Sequence, residues 1–106
     1  MVTSFLRITV PRQKKKAAIQ TVRSLLGWTS VQPGCISIAF YQDTDSPGTL
    51  VLLEEWEDWR STENHIRSDS YRSILELMEL SSTPPEIKFC SVSDIQGMEV
   101  LERLRG

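Results

Sequence analysis

Histidine and cysteine are almost missing from this chain: one histidine and two cysteines in 106 residues. Cys35 and Cys90 stand 55 positions apart, with no CxxC and no histidine beside either. Such spacing does not make a metal site, so no metal is expected. Reduced thiols in a cytoplasmic protein are the expectation instead. Long apolar runs are also lacking. Leu50–Leu53 is far too short to cross a bilayer. Arg7 comes too soon after Met1 to leave room for a signal-peptide core. No membrane partner is expected. Nor is there an excess of one charge: 12 Lys and Arg stand against 14 Asp and Glu, net −2. A protein with no global basic field does not attract nucleic acid. The one dense basic stretch, Arg12-Gln13-Lys14-Lys15-Lys16, reads as the solvated first turn of a surface helix, with a phosphate or anion contact as the alternative.

What is present is the material of one ordinary globular domain. Hydrophobic residues make up 40% and charged residues 25%, which excludes a disordered chain. A domain of this size buries under ~70% of its unfolded surface, so burial in a dimer interface would help it. Leu6, Ile8 and Val10 alternate, as in a half-buried strand, and Pro11 ends the run. The period then lengthens. Ala18, Val22, Leu25 and Leu26 form one helical stripe, with Gly27 as the expected stop and Gln32-Pro33-Gly34 as a turn. Cys35–Tyr41 and Thr49–Trp56 read as strands joined by the polar loop Asp43–Gly48. A second helical region divides in two. Its first piece spans Asp58–Ile66, and Ser68 or Asp69 is a candidate N-cap for the second, whose stripe is Tyr71, Ile74, Leu75 and Met78. Ile87–Val92 reads as the last strand, and Ile95–Arg105 as a short helix with Met98, Leu101 and Leu104 spaced for docking.

The expected fold is α+β: a ferredoxin-like βαββαβ unit, with an antiparallel sheet, both helices on one face, and a helical tail. Residues 1–93 form the domain and 94–106 the extension. The uncovered sheet face holds Cys35, Ser37, Ala39, Tyr41, Val51 and Leu53. It is apolar enough to want a second copy of itself, giving a two-fold dimer.

Four stretches carry a family resemblance: Gln32-Pro33-Gly34-Cys35, Leu53-Glu54-Glu55-Trp56-Glu57-Asp58, His65-Ile66-Arg67-Ser68-Asp69-Ser70-Tyr71-Arg72 and Pro84-Pro85-Glu86-Ile87. In this order and spacing the chain resembles the antibiotic biosynthesis monooxygenase domain of the dimeric α/β-barrel superfamily, roughly from Arg7 to Val92. The resemblance implies a homodimer packed sheet to sheet, with a pocket in each subunit between sheet and helices. It also implies several possible activities: cofactor-independent oxygenation of quinols or polycyclic phenols, haem degradation, and processing of signalling molecules. Fold alone does not choose among these. The haem-degrading branch is disfavoured by the residues themselves. Its catalytic tryptophan falls on His65, its iron-ligating histidine on Leu75, and its first-strand asparagine near Leu6.

His65, the lone histidine, is the candidate base. An imidazole pKa of about 6.5 suits deprotonation of a phenol, and the phenolate can react with dioxygen without metal or flavin. The competing role is structural, pinning its helix through hydrogen bonds. Trp56 and Trp59 are candidate walls for a flat aromatic ligand, Trp59 at the rim and Trp56 equally suited to the core. Tyr71 is a candidate hydrogen-bond donor to an oxyanion, or a core residue. Asn64 is a polar contact or a surface residue, and Arg7 and Tyr41 are lesser pocket candidates. Two functions follow: a cofactor-independent monooxygenase acting on a small aromatic or quinol substrate, or a non-catalytic homodimer that binds a small molecule or a partner. A ligand-sensing domain without its DNA-binding part is a third.

Overall fold

The computed structural model describes every residue from Met1 to Gly106. Four strands, β1 Val2–Thr9, β2 Cys35–Gln42, β3 Thr49–Trp56 and β4 Glu86–Ser91, make one antiparallel sheet in the order β2-β3-β1-β4. Helices α1 (Lys15–Ser30), α2 (Trp59–Arg67), α3 (Arg72–Glu79) and α4 (Met98–Arg105) complete the chain, with 3-10 turns at Arg12–Lys14 and Asp69–Tyr71. This is the ferredoxin-like α+β arrangement expected from the alternation of periods.

Residues opposite one another across antiparallel strands share a face, so the register reads as rows. On the inner face Phe40, Leu52, Leu6 and Ile87 line up, followed by Ile38, Glu54, Ser4 and Phe89. Leu6, Ile8, Leu50 and Leu52 from the sheet meet Ala18, Val22 and Leu25 of α1 and Tyr71, Ile74 and Leu77 around α3. The outer rows are Tyr41, Val51, Arg7 and Glu86, then Ala39, Leu53, Phe5 and Lys88, then Ser37, Glu55, Thr3 and Cys90. No helix packs on these. The ends of the domain are zipped together: the Val92 amide donates to the Met1 carbonyl at 2.7 Å, and the Met1 ammonium to the Val92 carbonyl at 3.3 Å.

Three local expectations are corrected. Gly27 does not stop α1, which runs on to Ser30. Nothing lies within 4 Å of where its Cβ would be, and burial of Thr29 one turn beyond Leu25 keeps the helix on the sheet. The turn that does reverse the chain uses Gly34, at φ +84°, where an added Cβ would also run into Ser61. In α3 the buried leucine is Leu77, and Leu75 faces solvent. Ser68 makes no N-cap bond. Its hydroxyl instead donates back to the His65 carbonyl at 2.6 Å, a second bond to the oxygen that already accepts the Ser68 amide at 3.1 Å at the end of α2.

The tail stays apart from this core. Hydrogen bonds of residues 94–106 remain within that segment, and Ile95, Met98, Leu101 and Leu104 are open to solvent. The radius of gyration is accordingly 15.4 Å, against about 13 Å for a compact chain of this length. No helix is long and apolar enough to cross a membrane.

Candidate active site

The site begins with β3. Its inward positions run Leu50, Leu52, Glu54, Trp56, so alternation drives a carboxylate into the interior, where Glu54 is only 2% exposed. Burying a carboxylate is costly unless it is hydrogen-bonded. Glu54 is bonded on both oxygens. The Trp56 indole Nε1–H donates to Oε1 at 3.0 Å, and His65 Nε2 lies 3.3 Å from Oε2.

α2 delivers His65 to this carboxylate. The helix starts at Trp59 because Asp58 caps it: the Asp58 Oδ1 accepts the Ser61 amide at 2.8 Å, and those bonds hold the Asp58 carboxyl below its ordinary pKa. Thr62 and His65 then lie on the buried side of the helix. The imidazole stacks on Trp56, centroids 4.5 Å apart at 29°, and meets the edge of Tyr71 at 5.1 Å and 81°. His65 is 3% exposed.

This clamp has a chemical consequence. With Glu54 ionised, the tautomer that fits carries its proton on Nε2 and donates it to the carboxylate. Nδ1 is left with a free lone pair, and it is buried without a hydrogen-bond partner. Tyr71, edge-on to the imidazole, is a protonated phenol. Burial first, and the Glu54 charge second, push its pKa up to about 12. The same two causes raise the Cys35 thiol, which keeps it in the unreactive protonated form.

The structure thus brings His65, Trp56 and Tyr71 together. Trp59 lies at the margin, its ring 6.4 Å from that of Phe89 and partly exposed. Asn64 faces solvent on α2. Arg7 and Tyr41 lie on the opposite face of the sheet, and Arg7 is occupied by Glu86 at 3.1 Å. Glu54 is the residue that sequence reasoning missed. The signal for it was an acid in the inward slot of an alternating strand. No three His, Cys, Asp or Glu side chains converge as a metal-ligand set. Cys35 and Cys90 sit on the two edge strands.

A void one row along the sheet from Glu54, between Leu6, Leu52, Phe40, Val22 and Leu77, measures about 10 Å³. That is the size of a single water. The pocket expected between sheet and helices is therefore closed by side chains.

Comparison with known proteins follows the same fold. Residues 1–77 match the family described as antibiotic biosynthesis monooxygenase. A conserved protein from Methanosarcina mazei Go1, of known structure, is 31% identical with a TM-score of 0.78, over 84% of this chain and 89% of that one. A crystal structure of an antibiotic biosynthesis monooxygenase superposes with a TM-score of 0.79 over 89% of this chain and 100% of its own, at 17% identity, a likeness of fold. An uncharacterised protein of Synechocystis is 26% identical over 90 residues, 84% of this chain. The match spans 61% of that relative's length. Since the family match takes in every strand and helix from β1 to the Glu54–His65 pair and most of α3, the chain belongs to the antibiotic biosynthesis monooxygenase family.

Proposed function

We propose that the protein is a cofactor-independent monooxygenase acting on a small aromatic or quinol substrate, working as a homodimer packed through the outer faces of its sheets. The observation that carries this reading is the clamped imidazole: Glu54 holds Nε2, and the unpartnered Nδ1 is the base. In the reaction, Nδ1 takes a proton from the substrate, and the resulting anion gives electrons to dioxygen. One oxygen atom ends in the product as a carbonyl. The other leaves as water with the two substrate hydrogens. Tyr71, a phenol still protonated at neutral pH, donates a hydrogen bond to the oxyanion that develops. Trp56 and Trp59 are the aromatic walls.

A ring needs on the order of 150 Å³ and Nδ1 is buried, so the side chains around His65 must repack to admit substrate. That closure favours a second reading, a binding protein of the same fold that does no chemistry. Oxygen uptake by the purified protein, without added metal or flavin, against a panel of quinols and anthrone-type phenols separates the two. The oxygenase reading expects protein-dependent uptake that falls by about 10²-fold or more in His65→Ala. Turnover of a proven substrate unchanged by that substitution removes His65 from the mechanism, and no uptake across the panel supports the binding protein.

A further inference from the structure

We infer that the cleft between α1 and the Pro47–Gly48 loop is a binding site for a small phosphate-bearing molecule, held by Arg12 and Lys15. It lies apart from the Glu54–His65 pair. Gly48 precedes Thr49 at one end of β3, and Glu54 stands five residues along that strand from Thr49, about 17 Å away at ~3.4 Å per residue. Three observations support the site.

The first is the distribution of charge. Residues 1–42 contain six of the 12 Lys and Arg and none of the 14 Asp and Glu. Five of the six, Arg12, Lys14, Lys15, Lys16 and Arg23, lie between the turn that precedes α1 and the middle of that helix. The ion pairs of the chain use Arg7, His65, Arg67 and Lys88, so none of the five is neutralised by a carboxylate. Like charges three or four residues apart on a helix repel one another. The empty cluster is therefore held at a cost in stability, which a bound anion removes.

The second is shape. Arg12 and Lys15 stand with Val10, Pro47 and Gly48 around a hollow of about 400 Å³. Lys15 also borders a second hollow, of about 360 Å³, with Lys16 and Arg23 along α1. Clefts that hold small molecules begin at about 300 Å³. The wall facing the cations is fixed by backbone bonds: the Val10 amide donates to the Gly48 carbonyl at 2.8 Å, and the Thr49 amide to the Ser46 carbonyl at 2.8 Å. A Cβ at Gly48 would lie 2.8 Å from the Val10 carbonyl oxygen, so glycine lets the loop approach the end of β1. Opposite this wall, the Arg12 guanidinium can bond two phosphate oxygens at once, and the Lys15 ammonium adds a point charge.

The third is what the rest of the chain selects against. Beyond residue 42 the other six Lys and Arg stand against all 14 acids, a strongly negative remainder. A membrane surface or a long nucleic acid would meet that remainder along with α1 and be repelled by it. A small anion seated in the cleft is screened from charges more than about 8 Å away at physiological salt. No carboxylate lines either hollow. In the adjoining loop, the Asp43 Oδ1 is turned back to the Asp45 and Ser46 amides at 2.8 and 3.0 Å. Local cations on a chain of net charge −2 thus favour a compact ligand over an extended one.

The test follows the backbone amide signals of the full chain by NMR as sodium pyrophosphate is added, with sodium sulfate at matched ionic strength as the comparison. The site expects saturable shifts centred on Arg12, Lys15 and Gly48, and pyrophosphate bound at least tenfold more tightly than sulfate. In the double variant R12Q/K15Q the dissociation constant for pyrophosphate should rise at least tenfold. The ligand-free variant should melt no lower than wild type, because repulsion has been relieved. Shifts that do not saturate, equal affinity for the two anions, or an affinity unchanged in R12Q/K15Q each overturn the site. A ligand-free variant that melts lower also overturns it, since the two side chains would then be serving the fold. Binding to phosphatidylglycerol vesicles or to duplex DNA in preference to pyrophosphate overturns it too, and gives the cations to an extended surface. None of these readouts depends on oxygen uptake, so the site stands or falls independently of the reaction proposed above.

Discussion

Glu54 organises its neighbourhood more than any other residue. One carboxylate accepts the Trp56 indole, orients His65, and adds to the rise that burial gives the pKa values of Tyr71 and Cys35. Glu54→Gln tests what the charge does, because the amide keeps the volume and one acceptor for Trp56. The amide N–H₂ would face His65 Nε2, forcing the imidazole proton onto Nδ1 and removing the free lone pair. The expected outcome is a folded protein whose oxygen uptake falls about 10²–10⁴-fold, with nitrogen chemical shifts of His65 reporting the switched tautomer. Equal turnover would show that Nδ1 is not the base. Tyr71 makes a separate prediction. Its pKa lies near 10.0 in the unfolded chain and about 12 in the fold, so the folded state holds more protons between those values. Its contribution to stability is complete below pH 10 and is lost as pH rises toward 12. Unfolding free energies measured across that window should therefore decline less steeply in Tyr71→Phe than in wild type. Of these residues, His65, Trp56 and Tyr71 were named from the sequence as separate candidates, and the fold brings their rings together. Glu54 was not, because an acid near a strand's end looks like solvent-facing punctuation until its parity with Leu50 and Leu52 is counted. The same parity places Arg7, between Leu6 and Ile8, on the far side of the sheet.

Elements were read better than their boundaries. All four strands were located from the sequence, β1 and β2 by their alternation, since a period of two leaves little choice of face, and β3 by its apolar opening run. Glycine was the weaker guide. Gly27 sits inside α1 with helical backbone and open space at its Cβ position, so it adds disorder to the unfolded chain and no turn to the folded one. Gly27→Ala should stabilise the protein by about 0.5–1 kcal/mol, read as a higher urea midpoint with the same slope; a loss of stability would mean the position meets a neighbour. The face of α3 was misjudged for a geometric reason. Tyr71 belongs to a 3-10 turn, which advances about 120° per residue instead of 100°. Counting a helical stripe from Tyr71 therefore points to Leu75, whereas the helix proper, beginning at Arg72, buries Ile74 and Leu77.

At the scale of the molecule, order and pairing followed from the pattern of two hairpin-like strands enclosed by two helices, and the expected split βαβ topology is the one observed. The dimensions of the interior did not follow. Residue types along a chain say which side chains face inward but not how tightly they interdigitate, so an expected pocket and a void of about 10 Å³ have the same sequence signature. The zipper between Met1 and Val92 has a consequence for how the chain is made. β1 is synthesised first and lies in the middle of the sheet, yet its second neighbour, β4, begins only at Glu86. Val2 pairs with Ser91 and Arg7 with Glu86, contacts of high sequence separation that slow folding. A nascent chain emerging from the ribosome therefore carries one side of β1 unpaired until β4 is exposed, and an unpaired strand edge invites pairing between chains. The final strand closes the sheet and ends the interval in which a newly made copy is most open to aggregation.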